Sequence, residues 1–128
     1  MKLVLDTNTI IDFLGNKTTV IDLVPIVLQH ECFISVITKL ELLKYPEITP
    51  EEEKLIYDFL QIVPQVPIND AVENETIAIS RATKLKLPDA IIAATTIVYS
   101  AELVTNDTHF LNCPYPKLHV WTNADNSL

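Results

Sequence analysis

The chain alternates between short apolar runs and longer segments whose apolar residues are three and four positions apart. Runs of four or five apolar residues are typical of buried strands, whereas the wider spacing predicts helices with one buried face. Regular alternation of the two is characteristic of parallel strands joined by helical crossovers. We therefore expect a three-layer α/β/α domain with a mainly parallel sheet of four to five strands.

Three segments read as buried strands, namely Lys2–Leu5, Cys32–Val36 and Glu102–Thr105. The segment 62–68 contains two prolines, so we expect only a short edge strand or an extended connection there. Residues 117–122 are expected to add one more strand, and the tail after about residue 122 is expected to be loose. Helices are predicted over about residues 7–14, 18–29, 37–44, 70–86 and 90–99.

A further helix has the best-marked start in the chain. Thr49 is placed as its N-cap, Pro50 at its first helical position and Glu52 where it closes a capping box. The acidic run 51–53 is therefore explained mostly by helix chemistry.

Length and composition indicate one domain over residues 1–128. The chain is 48% hydrophobic and 20% charged, which suits a globular protein. No run reaches the ~18–20 apolar residues of a membrane span, and Asp6 comes too early for a signal peptide. We expect a cytoplasmic protein with no membrane association. Cys32 and Cys113 have no partnering motif and are expected to be ordinary thiols.

The net charge of −8 argues against broad, charge-driven adhesion to nucleic acid. Arg81, Lys84 and Lys86 form a local basic run, which we interpret as a solvated helix face in preference to an RNA contact. The single glycine, Gly15, excludes the glycine-rich phosphate loops of nucleotide-binding folds.

Four acidic residues are expected to meet at one edge of the sheet. Asp6 and Asp107 each follow a predicted strand, which places them at the carboxyl edge where open α/β sheets bind ligands. Glu41 lies near the start of a helix that begins at this edge, and Asp89 begins the helix that leads into residues 102–105.

Crowded carboxylates repel one another and raise each other's pKa unless cations lie between them, and Mg²⁺ or Mn²⁺ prefers such oxygen ligands. One or two divalent ions are implied, with phosphodiester hydrolysis as the simplest chemistry. The three histidines fall in unrelated contexts, so no Ser-His-Asp or Cys-His arrangement offers a rival.

Four segments in order along the chain resemble the motifs of the PIN domain, and within it the VapC-like toxins of type II toxin–antitoxin pairs. They are residues 5–14, 35–43, 86–95 and 103–110, and together they span nearly the whole chain. The resemblance implies a PIN-like fold, endoribonuclease activity on RNA, a small antitoxin partner and a homodimer. It also implies a set of metal-binding catalytic acids supported by two polar residues, which are Asp6, Glu41, Asp89 and Asp107 with Asn8 and Thr105.

Asp6 and Asp89 are expected to hold the principal Mg²⁺ or Mn²⁺, and Glu41 and Asp107 to complete the ligand set or orient the attacking water. Family members commonly carry Arg or a similar residue just before the last acid, where this chain has Asn106.

Taken singly, the acids have simpler explanations. Asp6 could be a turn residue, Asp89 a helix N-terminal acid and Glu41 an exposed partner of a nearby lysine. A second hypothesis is therefore a catalytically idle PIN-like module that binds a protein or RNA and keeps a structural metal site. A third is a phosphohydrolase with Asp6 as nucleophile. We expect Asp12 to be structural or supporting, His109 to be a surface or packing residue, and Tyr115 and Trp121 to pack the closing strand.

Overall fold

The computed structural model describes residues 1–15 and 21–121. Its sheet has five strands in the order β3-β2-β1-β4-β5, and every neighbouring pair is parallel. The prediction of a mainly parallel sheet is therefore confirmed. The strands are β1 Lys2–Leu5, β2 Glu31–Ser35, β3 Gln65–Val66, β4 Glu102–Val104 and β5 Val120–Trp121.

Seven helices connect the strands within these two ranges. The helices α1 and α3 lie within one residue of their predicted bounds, α6 begins three residues before residue 90 and ends one before residue 99, and α7 was not predicted. The helices are α1 Thr7–Leu14, α2 Leu23–Gln29, α3 Val36–Leu43, α4 Pro50–Ile62, α5 Asp70–Ala82, α6 Leu87–Val98 and α7 Thr108–Leu111. The capping box of α4 forms as predicted, with Thr49 Oγ1 accepting from the Glu52 N–H at 3.1 Å and Glu52 Oε1 accepting from the Thr49 N–H at 2.9 Å.

Both faces of the sheet are covered by helices. Successive side chains of a strand point to opposite faces, and in β1 Leu3 and Leu5 pack in a core with α1 to α4 while Val4 packs in a second core with α5 and α6. Burial on both faces explains why the strands are continuous apolar runs. The three-layer α/β/α architecture is confirmed.

The strand order reverses direction at β1. The chain moves from β1 outward through β2 to β3, then returns to place β4 on the other side of β1. In open parallel sheets such a switch point opens a crevice at the carboxyl ends of the strands. Leu5 pairs with Val104 across this point, and the Asp6 N–H donates to the Val104 carbonyl at 3.1 Å.

The predicted start of α2 near residue 18 is wrong. The helix begins at Leu23, because Asp22 is extended and its carboxylate accepts a hydrogen bond from the Val24 N–H at 3.0 Å. Residues 16–20 of that prediction, and the tail after residue 121, lie outside the described residues.

The predicted end of α5 near Lys86 is also wrong, since the helix ends at Ala82. Thr83 is extended, and its hydroxyl donates to the Ile79 carbonyl at 2.9 Å and accepts from the Leu85 N–H at 3.2 Å. A threonine hydroxyl that forms hydrogen bonds with nearby backbone groups competes with the backbone hydrogen bonds of a helix, and so favours its end. Lys84 and Lys86 therefore lie on an extended loop between α5 and α6.

The closing segment packs as predicted, although its strand is only two residues long. Trp121 is buried, and Tyr115 packs against the second core and donates to Glu75 Oε2 at 2.6 Å. Cys32 and Cys113 are both free thiols. Among the described residues no helix combines the length and the apolar character that a membrane crossing requires.

Candidate active site

Asp6 is the first residue beyond β1 and, among the residues that the structure describes, the only buried acid, with 2% of its surface exposed. Its Oδ2 accepts a hydrogen bond from the Thr105 hydroxyl at 2.7 Å. The same hydroxyl oxygen accepts from the Asp107 N–H at 3.0 Å. Thr105 therefore fixes one acid by its side chain and the next by its backbone, across the switch point between β1 and β4.

Asp107 is the N-cap of α7. Its Oδ1 accepts from the His109 N–H at 2.8 Å and lies 3.0 Å from His109 Nδ1. Its Oδ2 accepts from Asn8 Nδ2 at 3.3 Å. Asn8 comes from α1, so its amide links the ends of β1 and β4 a second time.

Glu41 lies on α3, which starts where β2 ends, and it is half-buried. Its Oε1 accepts from the Thr7 hydroxyl at 2.8 Å, and that hydroxyl lies 3.0 Å from Thr38 Oγ1. The nearby lysines have other neighbours in the described structure, since Lys39 lies over the Tyr57 ring and Lys44 over the Tyr45 ring. The explanation of Glu41 as an exposed ion-pair partner is therefore not supported.

Asp89, in the first turn of α6, interacts electrostatically with other acids of the cluster. Burial raises its pKa, and the negative charges of Asp107 and Glu41 raise it further, while His109 and Lys86 act in the opposite direction. Burial, with the charges of Asp107 and Asp89, raises the pKa of Asp6 to about 6 against the lowering effect of the Thr105 hydrogen bond. Asp6 and Asp89 are thus each affected by the charges of two other predicted acids.

The donor chemistry of this cluster fits a hard divalent cation. All four candidate ligands are carboxylates. Burial and mutual repulsion raise the pKa of Asp6 and of Asp89, and a cation among the acids would offset both effects. Within residues 1–15 and 21–121, no three Asp, Glu, His or Cys side chains already converge in a metal-binding arrangement. The fit rests on donor type and charge rather than on a preformed coordination shell.

A cleft of about 670 Å³ opens beside the acids. Asn8, Asp89 and Asp107 lie in its wall, and so do the exposed residues of the α5–α6 loop. Arg81, Lys84 and Lys86 all line this cleft. The interpretation as a solvated helix face is wrong for Lys84 and Lys86, which lie on the loop after α5, whereas Arg81 is an exposed residue of α5. Apolar periodicity does not predict this placement, because the placement depends on the early end of α5 at Ala82.

A second, more apolar cavity of about 380 Å³ is lined by parts of α1, α3 and α4 and contains none of the four acids. Thr7 is a site residue that sequence reasoning missed. Asn106 is exposed beside Asp107 and brings no charge to the cleft. His109 is exposed, as expected, but its contact with Asp107 makes it part of the site.

A parallel α/β domain with acids clustered at its switch point is the class that fold and site define. The sequence matches the PIN domain family model over residues 3–114, and the chain belongs to this family. A comparison with curated proteins found no match.

Several solved structures are similar to the chain. A structure of VapBC2 from Rickettsia felis bound to a promoter DNA fragment has a TM-score of 0.78 at 19% identity, covering 95% of this chain and 100% of that one. A toxin–antitoxin complex from Klebsiella pneumoniae has a TM-score of 0.74 at 25% identity, with 92% and 99% covered. VapBC-1 from nontypeable Haemophilus influenzae has a TM-score of 0.76 at 20% identity, with 94% and 97% covered. They share the fold across almost the whole chain.

Proposed function

We propose that this chain is a metal-dependent endoribonuclease and the toxin of a toxin–antitoxin pair. The observation that carries the proposal is the cluster of Asp6, Asp89 and Asp107 at the switch point, with Asp89 and Asp107 in the wall of an open cleft. Burial raises the pKa of Asp6 and of Asp89, and the charge of Asp107 raises both further. Perturbed acids in a cleft are typical of functional sites. Membership of the PIN domain family and the likeness to toxin–antitoxin complexes support the same proposal.

In this proposal Asp6 and Asp89 hold the principal Mg²⁺ or Mn²⁺, and Glu41 and Asp107 complete the ligand set or orient the attacking water. A bound ion supplies Lewis-acid stabilisation of a phosphate oxygen and lowers the pKa of a bound water. The chain's own residues do the positioning. Thr105 holds Asp6 and the Asp107 backbone, and Asn8 holds the Asp107 carboxylate. Such supporting contacts orient metal ligands and tune their basicity.

Thr7 performs the equivalent positioning for Glu41, since its hydroxyl donates to Oε1 at 2.8 Å. The site therefore draws its supporting hydrogen bonds from α1 and from the segment after β4, the two parts of the chain that meet at the switch point.

The partners belong to the proposal as well. A small antitoxin is expected because the similar structures are described as VapBC or toxin–antitoxin complexes. RNA as the substrate, a homodimer and a cytoplasmic location are carried over from the sequence resemblance.

The test is cleavage of total cellular RNA by the purified protein, with Mg²⁺ or Mn²⁺ and with EDTA. A variant carrying both Asp6→Asn and Asp89→Asn is compared with Asp58→Asn, which removes an exposed carboxylate on α4. We expect discrete, metal-dependent fragments from the wild type and the Asp58 variant, and none from the double variant. RNA that stays intact with excess wild-type protein while Mg²⁺ raises its Tm would favour the idle, partner-binding module instead.

A further inference from the structure

Three of the nine lysine and arginine residues lie within six consecutive positions. They are Arg81, Lys84 and Lys86, which we call the basic segment. In a chain with a net charge of −8 this is a strong local concentration of positive charge. All three residues are exposed and line the cleft that also contains Asp89 and Asp107.

The backbone around the basic segment is fixed by neighbouring residues. The Thr83 hydroxyl bridges the Ile79 carbonyl and the Leu85 N–H, and Leu85 packs against the second core. Alternate residues of an extended chain point to opposite sides, so the inward Leu85 directs Lys84 and Lys86 outward together. The loop backbone is therefore fixed by its own contacts, and both lysine side chains lie on the outward side of the loop.

The basic segment forms no salt bridge within the described structure, although the charge of Lys86 acts on Asp89 across the cleft. Across residues 1–15 and 21–121, no carboxylate forms a salt bridge with any of the three. Other lysines do have such neighbours, because Lys54 pairs with Asp58 and Lys117 lies 3.6 Å from Glu75. The basic segment is thus available to an anionic ligand that enters the cleft.

We propose that the basic segment binds the phosphate backbone of single-stranded RNA and places the scissile phosphate against Asp89 and Asp107. The inference rests on the proposed function and identifies residues that hold its substrate. Phosphates are the polymer's fixed anions, and lysine and arginine side chains are the groups that bind them. Contacts to phosphates depend on charge and spacing and not on the bases, so the basic segment should bind RNAs of different sequence with similar affinity.

The experiment measures binding without chemistry. Wild-type protein in EDTA is titrated into short, fluorescein-labelled oligouridylate and oligoadenylate, and anisotropy gives Kd over a series of salt concentrations. The variant carries Arg81→Gln, Lys84→Gln and Lys86→Gln together. A matched control carries Lys2→Gln, Lys44→Gln and Lys54→Gln, which removes the same charge from exposed positions outside the cleft.

Loss of a phosphate contact lowers the slope of log K against log salt by about 0.7 for single strands. We therefore expect the triple variant to bind both probes more weakly and to lose about 2 in slope, with the control close to wild type. Exposed substitutions change stability little, so circular dichroism and Tm should stay near wild type.

Equal slopes and affinities for the variant and its control would overturn the inference, even if the wild type cuts RNA and the proposed function stands. In another outcome, only the triple variant loses salt slope, and the wild type never cuts RNA. That result would support RNA binding by the basic segment and contradict the nuclease proposal. A wild type that binds neither probe in EDTA would overturn the inference, and the cleavage test with metal decides the proposed function separately.

Discussion

At the scale of single residues, Thr105 links the acids on the two sides of the switch point. Its hydroxyl donates to Asp6 and accepts from the Asp107 N–H, at 5% exposure. Thr105→Val leaves both groups without this partner, so we expect a loss of stability of about 1–3 kcal/mol and of activity of about 10–100-fold. Thr105→Ser keeps the hydroxyl and should retain most of both. Chemical denaturation and RNA cleavage measure the two effects, and equal losses in the two variants would contradict this role.

Asp6 gives the metal-free protein a pH dependence of known sign. Its pKa is about 6 in the folded chain against 3.8 for the free side chain, so the folded state holds the proton more tightly. The stabilisation is present below pH 3.8 and is lost as the pH rises through about 6. The change amounts to about 3 kcal/mol at most.

Asp6→Asn removes this titration. In metal-free protein, its free energy of unfolding relative to wild type should therefore rise across that pH range and level off above it. Asp58→Asn, at an exposed position, serves as the control and should show no such rise. A difference between Asp6→Asn and wild type that stays constant with pH would contradict the assignment.

The residues that end strands could be predicted from sequence, because a carboxylate directly after a buried apolar run has only one edge of the sheet to occupy. This holds for Asp6, which follows β1 directly, and Asp107 follows β4 after only Thr105 and Asn106. The contact of Thr7 with Glu41 could not be predicted in this way, since it joins residues 34 positions apart through the packing of α1 against α3.

At the scale of elements, α6 carries Asp89 into the site by packing small residues against the sheet. Ala90, Ala93 and Ala94 are all buried on this helix. Ala94→Leu adds volume where none is free, which we expect to cost about 1–3 kcal/mol. It should also reduce RNA cleavage by moving Asp89.

The matched control is Ala78→Leu, at an exposed position on α5. Thermal denaturation and the RNA cleavage rate are measured for both variants. Ala94→Leu with unchanged stability and cleavage would show that α6 does not need its small residues to position Asp89.

The boundaries of α2 and α5 show where element prediction failed and why. Apolar spacing continues beyond both true ends, but a side chain competes for the backbone at each, Asp22 before α2 and Thr83 after α5. Local competition of this kind outweighs periodicity. The second error affected the description of the cleft, because a helix reaching Lys86 would not place Lys84 and Lys86 on the loop that lines it.

At the scale of the whole molecule, the total charge is a poor guide to what the cleft can bind. The chain carries −8, yet its acids gather at the switch point and the basic segment lies in the same cleft. The pattern of strands predicted the acidic cluster. The net charge of −8, by contrast, argued against nucleic-acid binding and did not predict a basic segment in the cleft.

A bound divalent cation should stabilise the whole fold, because it offsets repulsion in the folded state alone. Ligand at 100 times its Kd adds about 2.7 kcal/mol. We expect Mn²⁺ or Mg²⁺ to raise the Tm of wild type at neutral pH, and NaCl of equal ionic strength to raise it much less. The Asp6→Asn and Asp89→Asn double variant should lose the difference between the salts. An equal response to both salts in wild type would contradict a metal site at these acids.

The most direct test of the central claim is the chemistry of the ends left on a defined RNA. If the four acids hold a divalent cation, it would activate a water for attack on the phosphate. Hydrolysis with the 3′ oxygen as leaving group would give 3′-hydroxyl and 5′-phosphate ends. We expect these ends with Mn²⁺ or Mg²⁺, and no cleavage with EDTA or in Asp89→Asn. Fragments that end in 2′,3′-cyclic phosphate, or that form equally in EDTA, would contradict a carboxylate-bound metal as the origin of the activity.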